Sequence, residues 1–153
     1  MVAKQKILTF GLIGCGSYGK VHARVYRNHP RVNLKVLWSP TISRREASAR
    51  QFNCWASETW QEIVDDPAID CIAIATPDFA HTEYALAALR AGKHVLLEKP
   101  MAMETADCKR ILEARDQSKK KLMVNYHNRW YPAFIAARNA IQEGRIGRPV
   151  SGN

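Results

Sequence analysis

The stretch Ile7-Leu8-Thr9-Phe10-Gly11-Leu12-Ile13-Gly14-Cys15-Gly16-Ser17-Tyr18-Gly19 decides how the rest of the chain is read. An apolar run of strand length ends in the pattern G-x-G-x-x-G, and residues 20–29 continue with helical character. Strand, glycine turn and helix in that order give each glycine a physical task. Gly14 permits the tight turn out of the strand. Gly16, without a Cβ, lets a pyrophosphate come close to the backbone. Gly19 allows the helix to pack closely on the strand. Around them, Cys15 sits in the turn, and the N–H groups of Ser17 and Tyr18 lie at a helix N-terminus, where partial positive charge favours phosphate. A rival reading takes Lys4 and Lys6 as a basic lead and Leu12-Ile13-Gly14-Cys15 as a lipoprotein cleavage site. The apolar run is short for a signal peptide, and Gly16 and Gly19 would then have no purpose.

Working outward, strand-like and helix-like segments alternate. The strands are 7–13, 32–38, 71–75, 94–97 and 122–126. The helices are 20–29, with Tyr18, Val21 and Val25 on one face, then 43–53, 58–64, 79–91 with Asp78 as N-cap, and 104–117. A last helix is marked by Trp130, Phe134, Ala137 and Ile141. No hairpin signal interrupts them. Continuous apolar runs such as Cys71-Ile72-Ala73-Ile74-Ala75 suit strands buried on both faces. The pattern predicts an α/β, doubly wound parallel sheet of Rossmann type.

Composition fits one domain of 153 residues that is 46% hydrophobic and 24% charged. No apolar run reaches the roughly 20 residues of a membrane span. The four cysteines, Cys15, Cys54, Cys71 and Cys108, form no C-x-x-C, which argues against zinc or a disulfide framework and suits a reducing cytoplasm. The net charge of +9 raises nucleic acid as a partner. The one tight basic run, Lys119-Lys120-Lys121, has no aromatic residues interleaved and reads as a solvated turn, so neither nucleic acid nor membrane is expected.

The second strand decides the cofactor. In NAD-binding domains of this type an acidic residue about twenty positions past the glycines holds the ribose 2′-hydroxyl. Here the strand ends Leu37-Trp38-Ser39-Pro40, with Arg44 and Arg45 in the next turn. A hydroxyl can donate to a 2′-phosphate and a guanidinium can grip it. The expected cofactor is therefore NADP, with NAD less favoured.

The combination Thr76-Pro77, His81 and Gly92-Lys93-His94-Val95-x-x-Glu98-Lys99-Pro100 resembles the Gfo/Idh/MocA family, the glucose–fructose oxidoreductase and inositol dehydrogenase group, over nearly the whole chain. The stretch Asn125-Tyr126-His127-Asn128-Arg129-Trp130-Tyr131-Pro132 is similar to the family's next marker. The resemblance implies an NAD(P)-dependent oxidoreductase, often acting on sugars or cyclitols. It implies that Thr76 and Pro77 lie along the cofactor with His81 near it, that Glu98 and Lys99 approach the nicotinamide and its ribose, and that Asn125 and Arg129 stand at the far rim. Lys99 follows the carboxyl end of a predicted strand, where it is a candidate acid/base for the substrate hydroxyl. Residues 1–128 are then the dinucleotide-binding domain and 129–153 a helix and lead-in to a second, substrate-binding domain absent from this chain. Substrate contacts and any homo-oligomer interface belong to that second domain. A non-catalytic dinucleotide sensor of the same fold is the alternative, against which the intact Lys99 argues.

Overall fold

The computed structural model describes residues 6–151; Lys4 and Asn153 lie outside the described residues. Six parallel strands form one sheet: β1 (Leu8–Ile13), β2 (Val32–Trp38), β3 (Trp55–Ala56), β4 (Cys71–Ile74), β5 (His94–Glu98) and β6 (Leu122–Asn125). Their spatial order is β3-β2-β1-β4-β5-β6. The chain winds outward from β1 in one direction and then returns to β4 to wind in the other. Between β1 and β4 lies the switch point, outside whose carboxyl ends ligands bind in open α/β sheets.

The helices are α1 (Ser17–Asn28), α2 (Ile42–Phe52), α3 (Trp60–Asp65), α4 (His81–Arg90), α5 (Thr105–Ser118) and α6 (Pro132–Gln142). Two buried clusters pack on the central strands. One joins Ile63, Ile72, Ile74, Leu89, Leu97 and Ile111 between the sheet and α3, α4 and α5. The other joins Leu12, Ala23, Tyr26, Leu37 and Phe52 beneath α1 and α2. All four residues of β4 are buried, as its unbroken apolar run requires.

The helices depart from the sequence reading in instructive ways. The apolar stripe Tyr18, Val21 and Val25 faces outward, each residue about half exposed, while Gly19, Ala23 and Tyr26 face the sheet. Gly19 and Ala23, nearest the turn, are small because α1 approaches β1 closely there: a Cβ on Gly19 would stand 2.0 Å from the Gly14 carbonyl oxygen. Asp78 does not cap α4. It begins a 3-10 turn, Asp78–Ala80, and its side chain makes no capping bond. The two-residue strand β3 has no counterpart in the sequence reading, being too short to carry a period. In α6 no residue is buried; Phe134 and Ile141 are exposed, and Trp130 belongs to a preceding 3-10 turn, His127–Trp130. Lys119 takes a left-handed conformation (φ 55°) just past α5, so the basic run is indeed a turn. All four cysteines are free, with Cys15 and Cys71 buried. No helix among the described residues is long and apolar enough to cross a membrane.

Candidate functional site

The site is built first from backbone. β1 ends at Ile13, and Gly14 turns the chain with φ 106°; a Cβ there would lie 2.4 Å from the Ala75 carbonyl oxygen. The Gly14 N–H donates to the Trp38 carbonyl (2.8 Å), which ties the turn to the end of β2. Helix α1 starts at Ser17, and its first described intrahelical bond runs from Lys20 N–H to Gly16 O at 3.0 Å. The N–H groups of Ser17 and Tyr18 are thus left without intrahelical acceptors at a positive helix end. A Cβ on Gly16 would meet nothing within 4 Å, so no packing within the chain requires glycine there. Its bare backbone serves whatever lies in front of it.

In front of it is a cleft of about 460 Å³. It is lined by Gly14, Cys15, Gly16, Ser17 and Tyr18 from the turn, Ser39, Pro40 and Arg44 past β2, Ala75, Thr76, Pro77 and Asp78 past β4, and Glu98 and Lys99 at the end of β5. The cleft therefore gathers residues from the carboxyl ends of four adjacent strands, β2, β1, β4 and β5. Twelve of the sixteen candidate site residues meet here. A larger hollow around Asn33, Lys35 and Trp55 lies along the β2–β3 edge and contains none of them.

The four others have different positions. Gly19 is buried beneath the turn. His81 is wholly buried and is not among the residues that line the cleft. Its Nδ1 lies 2.7 Å from the Pro100 carbonyl oxygen and its Nε2 lies 3.1 Å from that of Thr76. It ties the loop after β4 to the loop after β5 from below. Asn125 lines a neighbouring cavity, where its amide donates to Glu98 Oε1 at 2.8 Å. Arg129 stacks over the ring of Tyr126, 5.5 Å from its centroid, and lines neither space.

The structure also divides the two arginines past β2. Arg45 turns back to donate to the Glu58 carbonyl (3.1 Å), which the Trp38 indole N–H also reaches at 3.1 Å. Arg44 lines the cleft and makes no hydrogen bond or ion pair among the described residues. Lys99 is exposed on the opposite side, its ammonium likewise unpaired among the described residues. The cleft thus offers a cation at each end and N–H donors between them. Its one buried carboxylate is Glu98. Burial alone would push that carboxyl up, but the bonds from Asn125 and His22 outweigh it and hold it below its ordinary value. Burial pushes the Cys15 thiol up to about 11, so at neutral pH the turn carries no thiolate to repel a phosphate.

These features fit a dinucleotide. Thr76 Oγ1, in the cleft wall, is buried without a hydrogen-bond partner among the described residues, and Gly16 leaves open space where a side chain would project. No cluster of three or more His, Cys, Asp or Glu among the described residues could hold a metal ion.

The contacts of two residues escaped the sequence reading. His22 bonds Glu98 from 76 positions away, and no local pattern announces such a pair. Lys93, inside the Gly92-Lys93-His94 motif, is buried and donates to the carbonyls of Asp66 (2.6 Å) and Ile69 (3.0 Å). Part of that motif therefore shapes the fold.

Comparison with known proteins gives concordant results. Among curated relatives, 1,5-anhydro-D-fructose reductase of Ensifer adhaerens is 45% identical over 126 residues, covering 77% of this chain and 38% of the relative. Inositol 2-dehydrogenase of Rhizobium meliloti is 34% identical over 138 residues, covering 90% and 42%. Among solved structures, levoglucosan dehydrogenase in complex with NADH and levoglucosan superposes with a TM-score of 0.83 at 35% identity, covering 92% of this chain and 40% of that one. Biliverdin reductase from Synechocystis sp. PCC 6803, in complex with biliverdin and NADP+, gives 0.87 at 31%, covering 94% and 45%. The chain spans about two fifths of the length of the curated relatives it matches. Residues 8–126 match the family described as oxidoreductase family, NAD-binding Rossmann fold, and the chain belongs to that Gfo/Idh/MocA family.

Proposed function

We propose that this chain is the NADP-binding part of an oxidoreductase that transfers a hydride between nicotinamide and an alcohol or carbonyl carbon of a sugar- or cyclitol-like ring. The observation that carries the reading is the end of β2. Ser39 stands where an acid would select NAD, and Arg44 lines the cleft beside it while Arg45 is bound elsewhere. Structural neighbours hold NADH in one case and NADP+ in another, so the choice rests on this chain's own residues. A guanidinium on a 2′-phosphate contributes about 1.5–3 kcal/mol, roughly a 10- to 100-fold preference.

The residues divide the work along the cleft. The N–H groups of Ser17 and Tyr18 hold the pyrophosphate against Gly14 and Gly16. Thr76 and Pro77 line the path between the two halves. Glu98 accepts from the nicotinamide half, and Asn125 fixes Glu98; Arg129 lies at the outer rim and His81 supports the loops from beneath. When bound, the nicotinamide supplies or accepts the hydride. Lys99 moves the proton of the substrate hydroxyl or stabilises its developing charge. Levoglucosan, 1,5-anhydro-D-fructose and inositol, in the names of the relatives, support a polyhydroxylated ring as substrate. Residues 129–153 are the lead-in to the substrate-binding portion, which supplies the partner catalytic groups. The free cysteines suit a cytoplasmic setting, and the exposed Val21, Val25 and Phe134 suit a homo-oligomer or contact with that portion.

The test is a titration of the 153-residue chain with NADPH and with NADH, followed by nicotinamide fluorescence. NADPH binding at least 10-fold tighter than NADH is expected. Equal affinity overturns the NADP assignment, and binding of neither overturns the dinucleotide site. Measurable turnover of a polyol by this chain alone would refute the division of labour with a second domain.

A further inference from the structure

We propose that His22 is a positioning residue for the inner end of the cleft: with Asn125 it fixes the Glu98 carboxylate so that Oε2 is the oxygen offered to the nicotinamide half of the dinucleotide. The inference rests on the dinucleotide reading above and assigns a residue that lies outside all the motifs carrying that reading.

His22 lies on α1, one turn beyond Gly19, with a side chain only 12% exposed. Its Nε2 is 2.7 Å from Glu98 Oε1, and the Asn125 amide reaches the same oxygen at 2.8 Å. An ionised carboxylate only accepts, so Nε2 carries the proton it donates. Nδ1 is then free to accept from the hydroxyl of Tyr26, 3.1 Å away and itself buried. These bonds join Tyr26, His22, Glu98 and Asn125 in one chain that links α1, β5 and β6.

The arrangement is asymmetric at Glu98. Oε1 takes two short bonds, whereas among the described residues Oε2 has only the Lys99 backbone N–H at 3.4 Å. Acceptor capacity is therefore saturated on one oxygen and largely open on the other. Glu98 also lines both the cleft and the adjoining cavity of about 560 Å³, so its carboxylate stands in the wall between them. A purely structural role would be met at less cost by an apolar side chain, because a buried carboxylate costs desolvation that its pairing only offsets. A carboxylate held in one orientation by two fixed donors, beside Lys99 at the end of β5, serves to present an acceptor.

The test uses two ligands on the 153-residue chain. NADPH spans the whole cleft, whereas 2′,5′-ADP carries the adenosine and the 2′-phosphate but no nicotinamide. His22→Ala is expected to weaken NADPH about tenfold and to remove the change in nicotinamide emission on binding, with 2′,5′-ADP affinity within about twofold of wild type. His22→Gln, whose amide can donate near the position of Nε2, is expected to restore most of both. Should His22→Ala fail to fold, Asn125→Ala replaces it with the same selective loss expected. Unchanged NADPH affinity and emission in the variant overturn the proposal, and so does an equal loss of both ligands, which would mark a role in the fold alone. Wild-type protein that binds neither ligand overturns the dinucleotide reading itself, a result distinct from the other two.

Discussion

The two ends of the cleft are made by different means. At the end formed by β1 and β2, the lining is mostly backbone: a glycine turn, a helix start, and a hydroxyl and one guanidinium just past a strand. At the end formed by β5 and β6, it is side chains from three elements that meet only after folding, His22, Glu98 and Asn125. The first kind of site tolerates almost no change in shape but depends on few side chains. The second tolerates shape changes but depends on each hydrogen bond being made.

That contrast can be broken most sharply at the glycines. Gly19→Ala would set a Cβ 2.0 Å from the Gly14 carbonyl oxygen, a backbone atom with little room to give. Loss of NADPH binding is expected, with destabilisation of about 1–3 kcal/mol or more from overpacking. Gly16→Ala meets nothing in the chain, so its melting temperature should stay close to that of wild type while NADPH affinity falls at least tenfold. Thermal melts alongside titrations separate the two, and equal behaviour would mean that Gly16 is not a contact for the ligand.

Lys93→Met sharpens the comparison from the fold side. It removes the donor shared by the carbonyls of Asp66, which keeps the Ile69 N–H, and Ile69, at about 1–3 kcal/mol by denaturant unfolding. The ratio of NADPH to NADH affinity should not change, because Lys93 lies outside the cleft lining. A shifted ratio would make the residue part of the site.

The smallest effect is on pH. Lys35 holds the Asp66 carboxyl below its ordinary value, and Lys6 does the same for Asp70. Glu98 is also held low, at the β5 end. Groups whose folded pKa is depressed stabilise the fold above their unfolded values and lose that contribution as pH falls through the folded ones. Stability should therefore be flat in these groups above about pH 5 and decline below about pH 4. Asn125→Ala should move the Glu98 titration upward while leaving Asp70 where it is, measurable by carboxyl-carbon NMR.

The contrast between the two ends also explains what the sequence could disclose. The turn 14–19, Ser39 and Arg44 are legible because strand, turn and helix are contiguous and the glycine spacing has a steric cause. The alternation of strands and helices was legible for the same reason, since each element carries its own period. The face of α1 was not: Tyr18, Val21 and Val25 recur at helical spacing, yet the sheet takes Gly19, Ala23 and Tyr26 because closeness of approach outranks hydrophobicity there. β3 escaped because two residues have no periodicity. His22 escaped because its partner is 76 positions away, and the burial of His81 was not legible because a motif histidine looks the same in sequence whether it lines a cleft or packs beneath its loops.

The proposed selection of a 2′-phosphate by Arg44 is tested most directly by the ratio of NADPH to NADH affinity in wild type and in Arg44→Ala. The prediction is that NADPH weakens about 10- to 100-fold while NADH changes less than about twofold, so the ratio collapses toward one. A ratio that survives the substitution would contradict that role for Arg44 and move the determinant of cofactor choice away from the end of β2.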